Sequence, residues 1–283
     1  MYSSWKEKFK LNSIVELFKT NKPVIGMVHL GPLPGNYDYI DNETYQETIK
    51  NAIIDAKTLE SAGIHGLIIE NAVSSPYLIN DDVEIIDVVC MTHIASLITK
   101  EVKIPVGINV CSNGAKQSIS ICKATGASFI RATGWANGYY NSNGYVSPSH
   151  PNALKYKKYI DAKDVVVMAD VKVKNGSHFI LNDKTIKEMV ADNFSAKADA
   201  VIITGASTGV KPNINELKEL QGGTNGPIVM GSGTTTENLK DFMPYVDAFI
   251  VGTYFKENRK MSEPVLYNKV KEFMDEWHRL MEE

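Results

Sequence analysis

Eight short apolar runs punctuate this chain, each followed by a stretch with helical spacing, and no other feature limits its possible folds as tightly. The runs are Pro23–His29 (PVIGMVH), His65–Asn71 (HGLIIEN), Ile104–Val110 (IPVGINV) and Ala127–Ala132 (ASFIRA). Then come Val165–Val173 (VVVMADVKV), Asp199–Gly205 (DAVIITG), Pro227–Gly233 (PIVMGSG) and Asp247–Thr253 (DAFIVGT). Each is rich in Val and Ile and too short for a helix, as expected of strands covered on both faces. Between the first two, Thr44–Ala62 sets Ile49, Ala52, Ile53, Ala56 and Leu59 on one helical stripe and stops at Gly63, a C-terminal cap. Eight strands joined by right-handed helical crossovers close into a barrel without edges. The rival, a doubly wound open sheet, would carry a GxGxxG turn after the first strand, and none is there.

The predicted fold is therefore α/β, a single (β/α)8 TIM barrel over residues 1–283 with no linker to divide it. At 283 residues the chain suits such a barrel, typically about 250 residues long. Residues 1–22 read as an extra helix whose stripe of Ile14, Leu17 and Phe18 plugs or flanks the barrel. They hold no apolar core long enough for a signal peptide or a membrane span. Apolar residues at 43% allow a large core, while a net charge of −3 without a polybasic run argues against nucleic acid as partner. Cys90, Cys111 and Cys122 form no CxxC pair and read as reduced thiols of a cytoplasmic protein.

In a barrel the chemistry lies where the strands end. The candidate catalytic residues are His29, Glu70, Asp170 and Lys172, and the candidate substrate-binding residues are Asn71, Asn109, Arg131 and Thr204. Buried ionisable groups in such number require partners or a ligand. In VVVMADVKVK a strand's alternation points Met168, Asp170 and Lys172 to one face, with Lys174 beyond them if the strand continues. Val165, Val167, Ala169, Val171 and Val173 take the other face, towards the helices. Carboxylate and amine on one face shift each other's pKa towards opposite roles. After strands seven and eight, Gly231, Ser232, Gly233, Gly252 and Thr253 match the phosphate position of many barrels, where glycine lets backbone N–H groups approach an anion. Thr234, Thr235 and Thr236 are expected to cap a helix opening around Glu237.

Two loops are long. GPLPGNYDYIDN is stiffened by Pro32 and Pro34 as one wall of a pocket. TGWANGYYNSNGYVSPSHPN has no helical period, and its Trp135, Tyr139, Tyr140 and Tyr145 suit stacking on a planar ligand or packing on a neighbouring subunit. His29, Glu70 and Asp170 could converge on a divalent ion, but no HxH or HExxH spacing supports that, so no metal is predicted.

The stretches VIGMVHLGPLPG, AGIHGLIIEN, IPVGINV, ASFIRA, MADVKVK, ITGASTG, VMGSGTTTEN and AFIVGT, in this order, resemble the BtpA/SgcQ family of TIM-barrel proteins along nearly the whole chain. The resemblance implies a relative of the ribulose-phosphate-binding barrels. Family members include an extrinsic protein needed for photosystem I accumulation and products of sugar-metabolism gene clusters. The chain departs from the pattern in the segment after strand four and at Asn175, where a histidine commonly follows DVKVK. The expected function is an enzyme of a phosphorylated sugar or nucleoside-like metabolite, with no cofactor and as a homo-oligomer. Isomerisation, glycosidic-bond cleavage and aldol-type lysis all fit. The alternative is a non-catalytic assembly or stabilisation factor on a barrel scaffold.

Overall fold

A computed structural model describes residues 14–73 and 76–283. All eight predicted runs are strands: β1 (Val24–His29), β2 (Gly66–Glu70), β3 (Val106–Asn109), β4 (Phe129–Ala132), then, past a small hairpin, β7 (Val166–Asp170), β8 (Ala200–Ile203), β9 (Ile228–Met230) and β10 (Ala248–Val251). Every neighbouring pair is parallel, and β10 returns to β1, so the sheet is a closed barrel. Alternation along the strands divides the core in two. Ile25, Met27, Ile68, Phe129, Met168, Ile202, Val229 and Ile250 fill the barrel. Val24, Val28, Leu67, Ile69, Val167, Ala169 and Val201 face outwards, among the apolar stripes of the helices.

The helices form where the sequence stripes place them. The helix Asn42–Ser61 begins at Asp41, whose side chain accepts the Thr44 N–H at 3.0 Å, and gives way at Gly63 with φ of +95°. That backbone geometry costs glycine little and other residues much. Of the predicted N-terminal helix, residues 14–18 are helical and residues 1–13 lie outside the described residues. Ile14 and Phe18 are buried inside the barrel's lower end. The Phe18 ring meets Phe129 edge-on with centroids 5.5 Å apart. Gly66 makes room for it, since a Cβ there would lie 2.4 Å from the Phe18 ring. The lower end is thus plugged, and the cavities open at the other end.

The segment after β4 differs from the expectation of an unstructured loop. Trp135 turns into the core and donates its indole N–H to the Ala196 carbonyl at 2.9 Å, so it is no ligand platform. The chain then folds as an antiparallel hairpin, β5 (Tyr139–Asn141) with β6 (Gly144–Val146), and enters the helix His150–Tyr159. Alternation along β5 buries Tyr139 and leaves Tyr140 outside, where it meets Tyr145 of β6 at 5.1 Å. Among the described residues, no helix is long and apolar enough to cross a membrane.

Candidate active site

The last inward-facing position of each strand builds the floor of the open end. Register sets His29 beside Glu70 and Glu70 beside Asn109. Asn109 Nδ2 donates to Glu70 Oε1, while His29 Nε2 lies 3.7 Å from Glu70 Oε2. Arg131 reaches both carboxylates. Its Nε and Nη2 donate to the two Asp170 oxygens at 3.0 and 2.9 Å, a bidentate pair, and its Nη1 lies 3.7 Å from Glu70 Oε1. His29, Glu70, Asn109, Arg131 and Asp170 are all buried. Burial alone would raise the Glu70 pKa, but Arg131, Lys174, His29 and the Asn109 hydrogen bond outweigh it and hold it below the usual carboxylate value. Burial pushes His29 down to about 3 against the pull of Glu70, so its imidazole is neutral.

Two cavities open over this floor and share Arg131, Lys174 and Thr208 as their common wall. The first, of about 280 Å³, lies over Gly231–Thr235 and Gly252–Tyr254, with Gly209 and Val210 closing one side. Arg131, Lys174 and Arg259 line it and no carboxylate does. Thr234 Oγ1 and His29 Nδ1, from two residues of its lining, are buried with no hydrogen-bond partner among the described residues. Buried polar atoms of that kind are rare in folded proteins. Three cations, backbone at glycine and the Thr234 hydroxyl suit an anion. The second cavity, of about 270 Å³, is lined by Glu70, Tyr77, Cys111, Tyr139 and the hairpin turn Asn141–Asn143. Burial raises the pKa of Cys111, Tyr77 and Tyr139, so all three keep their protons near neutrality.

The sequence-predicted residues separate into three groups. His29, Glu70, Asn109, Arg131 and Asp170 come together, and Gly231, Ser232, Gly233, Gly252 and Thr253 line the first cavity. The Ser232 hydroxyl is already used, donating to the Val210 carbonyl at 2.8 Å. Asn71 and Thr204 are bonded to backbone: Asn71 Oδ1 accepts the Cys111 N–H at 2.8 Å, and the Thr204 hydroxyl proton is shared between the Lys172 and Gly205 carbonyls. Neither residue lines the cavities.

Lys172 requires a correction. The strand stops at Asp170; the Val171 N–H makes one more bond to the neighbouring strand, to the Ile202 carbonyl, and Val171 stays in the outer core. The two-residue alternation that would have kept Lys172 beside Asp170 ends there. Lys172 Nζ instead lies 3.8 Å from Glu216, with 40% of its side chain exposed, and lines neither cavity. Lys174 takes the inner place. Burial and Arg131 lower its pKa against the pull of Glu70 and Asp170. Thr234 also departs from the expected capping role. Asn238 ties the turn instead, accepting from the Thr235 N–H and donating to the Gly233 carbonyl ahead of a four-residue helix, Leu239–Phe242. Arg259 carried no sequence signal; two turns of 3₁₀ helix after β10 bring it to the cavity.

Comparison with known proteins agrees with this architecture. By fold the chain resembles (S)-3-O-geranylgeranylglyceryl phosphate synthase from Thermoplasma acidophilum, solved with sn-glycerol-1-phosphate, at a TM-score of 0.60 and 16% identity over 94% of this chain and 97% of that one. Phosphoribosyl anthranilate isomerase from Thermus thermophilus matches at a TM-score of 0.57 and 11% identity, covering 91% and 99%. By sequence, an uncharacterized protein of Methanocaldococcus jannaschii is 35% identical over 93% of this chain and 97% of its own length. The photosystem I biogenesis protein BtpA of Synechocystis is 30% identical over 93% of this chain and 90% of its own. The BtpA family model matches residues 20–279, and the chain belongs to the BtpA family.

Proposed function

We propose that this protein is an enzyme of a small phosphorylated metabolite, a sugar phosphate or a nucleoside-like compound, acting as an isomerase, lyase or glycosidic-bond hydrolase. The observation that carries this reading is the first cavity: cations without a carboxylate, over two glycine turns, with the Thr234 hydroxyl unpaired among the described residues. The phosphate would lie on the backbone of Gly231–Gly233 and Gly252–Thr253, with Arg259 closing over it. The rest of the substrate would cross Arg131 and Lys174 into the second cavity, where Glu70 serves as general base or acid. Both Asp170 oxygens are taken by Arg131, so Asp170 orients the guanidinium and Glu70 is left to handle the proton. His29 supports Glu70 as a neutral ring.

Melting temperature with phosphorylated sugars, each against the same sugar without phosphate, tests this directly. A ligand bound by the native state alone raises the midpoint. Stabilisation only by the phosphorylated members is expected, and Arg259→Gln should weaken it about tenfold, the worth of one charge-assisted hydrogen bond. No stabilisation by any phosphorylated compound would overturn the reading. A second reading, an assembly factor without catalysis, is favoured by the name of the Synechocystis relative alone.

A further inference from the structure

Four lysines occupy informative positions, and three of them are engaged. Lys22 Nζ donates to the Met243 and Val246 carbonyls at 2.7 Å each. Lys256 Nζ holds Asp55 Oδ2 at 2.8 Å, and Lys172 lies against Glu216. Lys174 makes no ion pair with a described carboxylate, although Glu70 and Asp170 both act on it electrostatically. Both Asp170 oxygens and Glu70 Oε1 are taken up by Arg131 and Asn109 instead, and Glu70 Oε2 faces His29. Lys174 lines both cavities at once, on the seam between the space over the glycine turns and the space floored by Glu70. A lysine that serves only to attract an anion has no need of the second cavity. An amine positioned for attack needs both: a handle on one side and the reacting carbon on the other.

We propose that Lys174 is a nucleophile that forms an imine with the carbonyl carbon of a phosphorylated aldehyde or ketone. This rests on the phosphate reading given above and narrows the substrate to carbonyl compounds. In the neutral form, Lys174 Nζ attacks the carbonyl carbon, a C–N bond forms, and the carbonyl oxygen takes up a proton. The carbinolamine then loses that oxygen as water and leaves an iminium ion. Taken from the ammonium form, the balance is ammonium plus carbonyl giving iminium plus water, with no oxidant or further reactant. Tyr139, whose phenol keeps its proton, lines the second cavity together with Lys174. Burial beside Arg131 lowers the Lys174 pKa and so enlarges the fraction of free amine near neutrality.

The experiment treats the full-length protein with dihydroxyacetone phosphate, glyceraldehyde 3-phosphate or pyridoxal phosphate, each at a concentration equal to that of the protein, and then with sodium borohydride. Peptide mapping by mass spectrometry locates the adduct. Glycerol phosphate, which has the phosphate and no carbonyl, is measured in parallel by melting temperature. The expected result is an adduct of ligand less one oxygen at Lys174, abolished by Lys174→Arg, unchanged by Lys172→Arg, and suppressed by excess inorganic phosphate. Mapping of the unmodified protein identifies the residue even if a variant fails to fold. An adduct on Lys172 or spread over surface lysines overturns the assignment. So does the absence of an adduct with all three carbonyl compounds while glycerol phosphate binds, and the phosphate reading then survives alone. If neither trapping nor glycerol phosphate binding is seen, both fall.

Discussion

Thr234 and Gly233 are neighbours in the same turn, yet substitution at each asks a different question. Gly233 sits at φ of +70°, and a Cβ there would lie 2.2 Å from the Lys211 backbone nitrogen, so any side chain deforms the loop before it reports on a ligand. Thr234 has a buried hydroxyl with no partner among the described residues, an arrangement that costs about 1–3 kcal/mol. Thr234→Val is therefore expected to keep or raise the melting temperature and to weaken inorganic phosphate about tenfold, measured by calorimetric titration. A fall in stability with unchanged affinity would mean the hydroxyl has a structural partner. Asp170 behaves in the opposite sense. Its removal by Asp170→Ala strands the buried Arg131 charge, and the expected loss is about 3–5 kcal/mol by urea denaturation. Lys172→Met, at a half-exposed side chain, should leave the midpoint nearly unchanged. Equal effects of the two substitutions would refute this division of roles.

Asp55 on the helix Asn42–Ser61 binds the segment after β10. Asp55 holds Lys256 Nζ at 2.8 Å with one oxygen and the Val265 N–H at 2.9 Å with the other, in a nearly dry setting. Lys256 joins the two turns of 3₁₀ helix, the second of which ends at Arg259, so this anchor also fixes the loop that brings Arg259 to the first cavity. Asp55→Ala is expected to cost about 3–5 kcal/mol of stability, as for any buried pair with one partner removed. Affinity for phosphorylated ligands should fall with it, in the folded fraction that remains. On the same helix, Lys57 pairs with Glu101 at the surface, and Lys57→Ala should leave the urea midpoint where it was. A large effect at Lys57, or none at Asp55, would show that the helix is held by other means.

For the molecule as a whole, buried histidines set the response to acid, with His29 and His65 shifted furthest and His178 in the same direction. Burial pushes His29 down to about 3, and burial with repulsion from His278 pushes His65 down to about 4. The His65 ring must also stay neutral at Nδ1, which accepts the Val24 N–H at 3.0 Å. In the unfolded chain both take up protons below their ordinary value of 6.5, while in the folded chain they resist. The unfolded state then binds more protons, so stability is full above pH 6.5 and falls as the pH drops towards 4. The lowered pKa of Glu70 acts with the same sign at lower pH. Each histidine contributes at most about 1.4 kcal/mol per pH unit within that window. Urea midpoints at pH 7 and pH 5 check this, and equal midpoints would mean that the histidines are not held neutral.

Composition and spacing determined the eight strands and their two faces, because a covered strand must be apolar on both sides and a helix must show its stripe. They also determined that His29, Glu70, Asn109, Arg131 and Asp170 share one end, since each is the last inward residue of its strand and closure of the barrel brings those ends together. What the tertiary structure decided depends on where regular geometry stops. Alternation predicts Lys172 beside Asp170 only while the strand lasts, and the strand ends at Asp170, so Lys174 reaches the cavities instead. The hairpin after β4 and the inward turn of Trp135 come from pairing and packing partners distant in sequence, such as the Ala196 carbonyl. Arg259 joins the site because its loop is anchored through Lys256 to Asp55 on a helix 201 residues earlier, and no local pattern encodes a contact of that length.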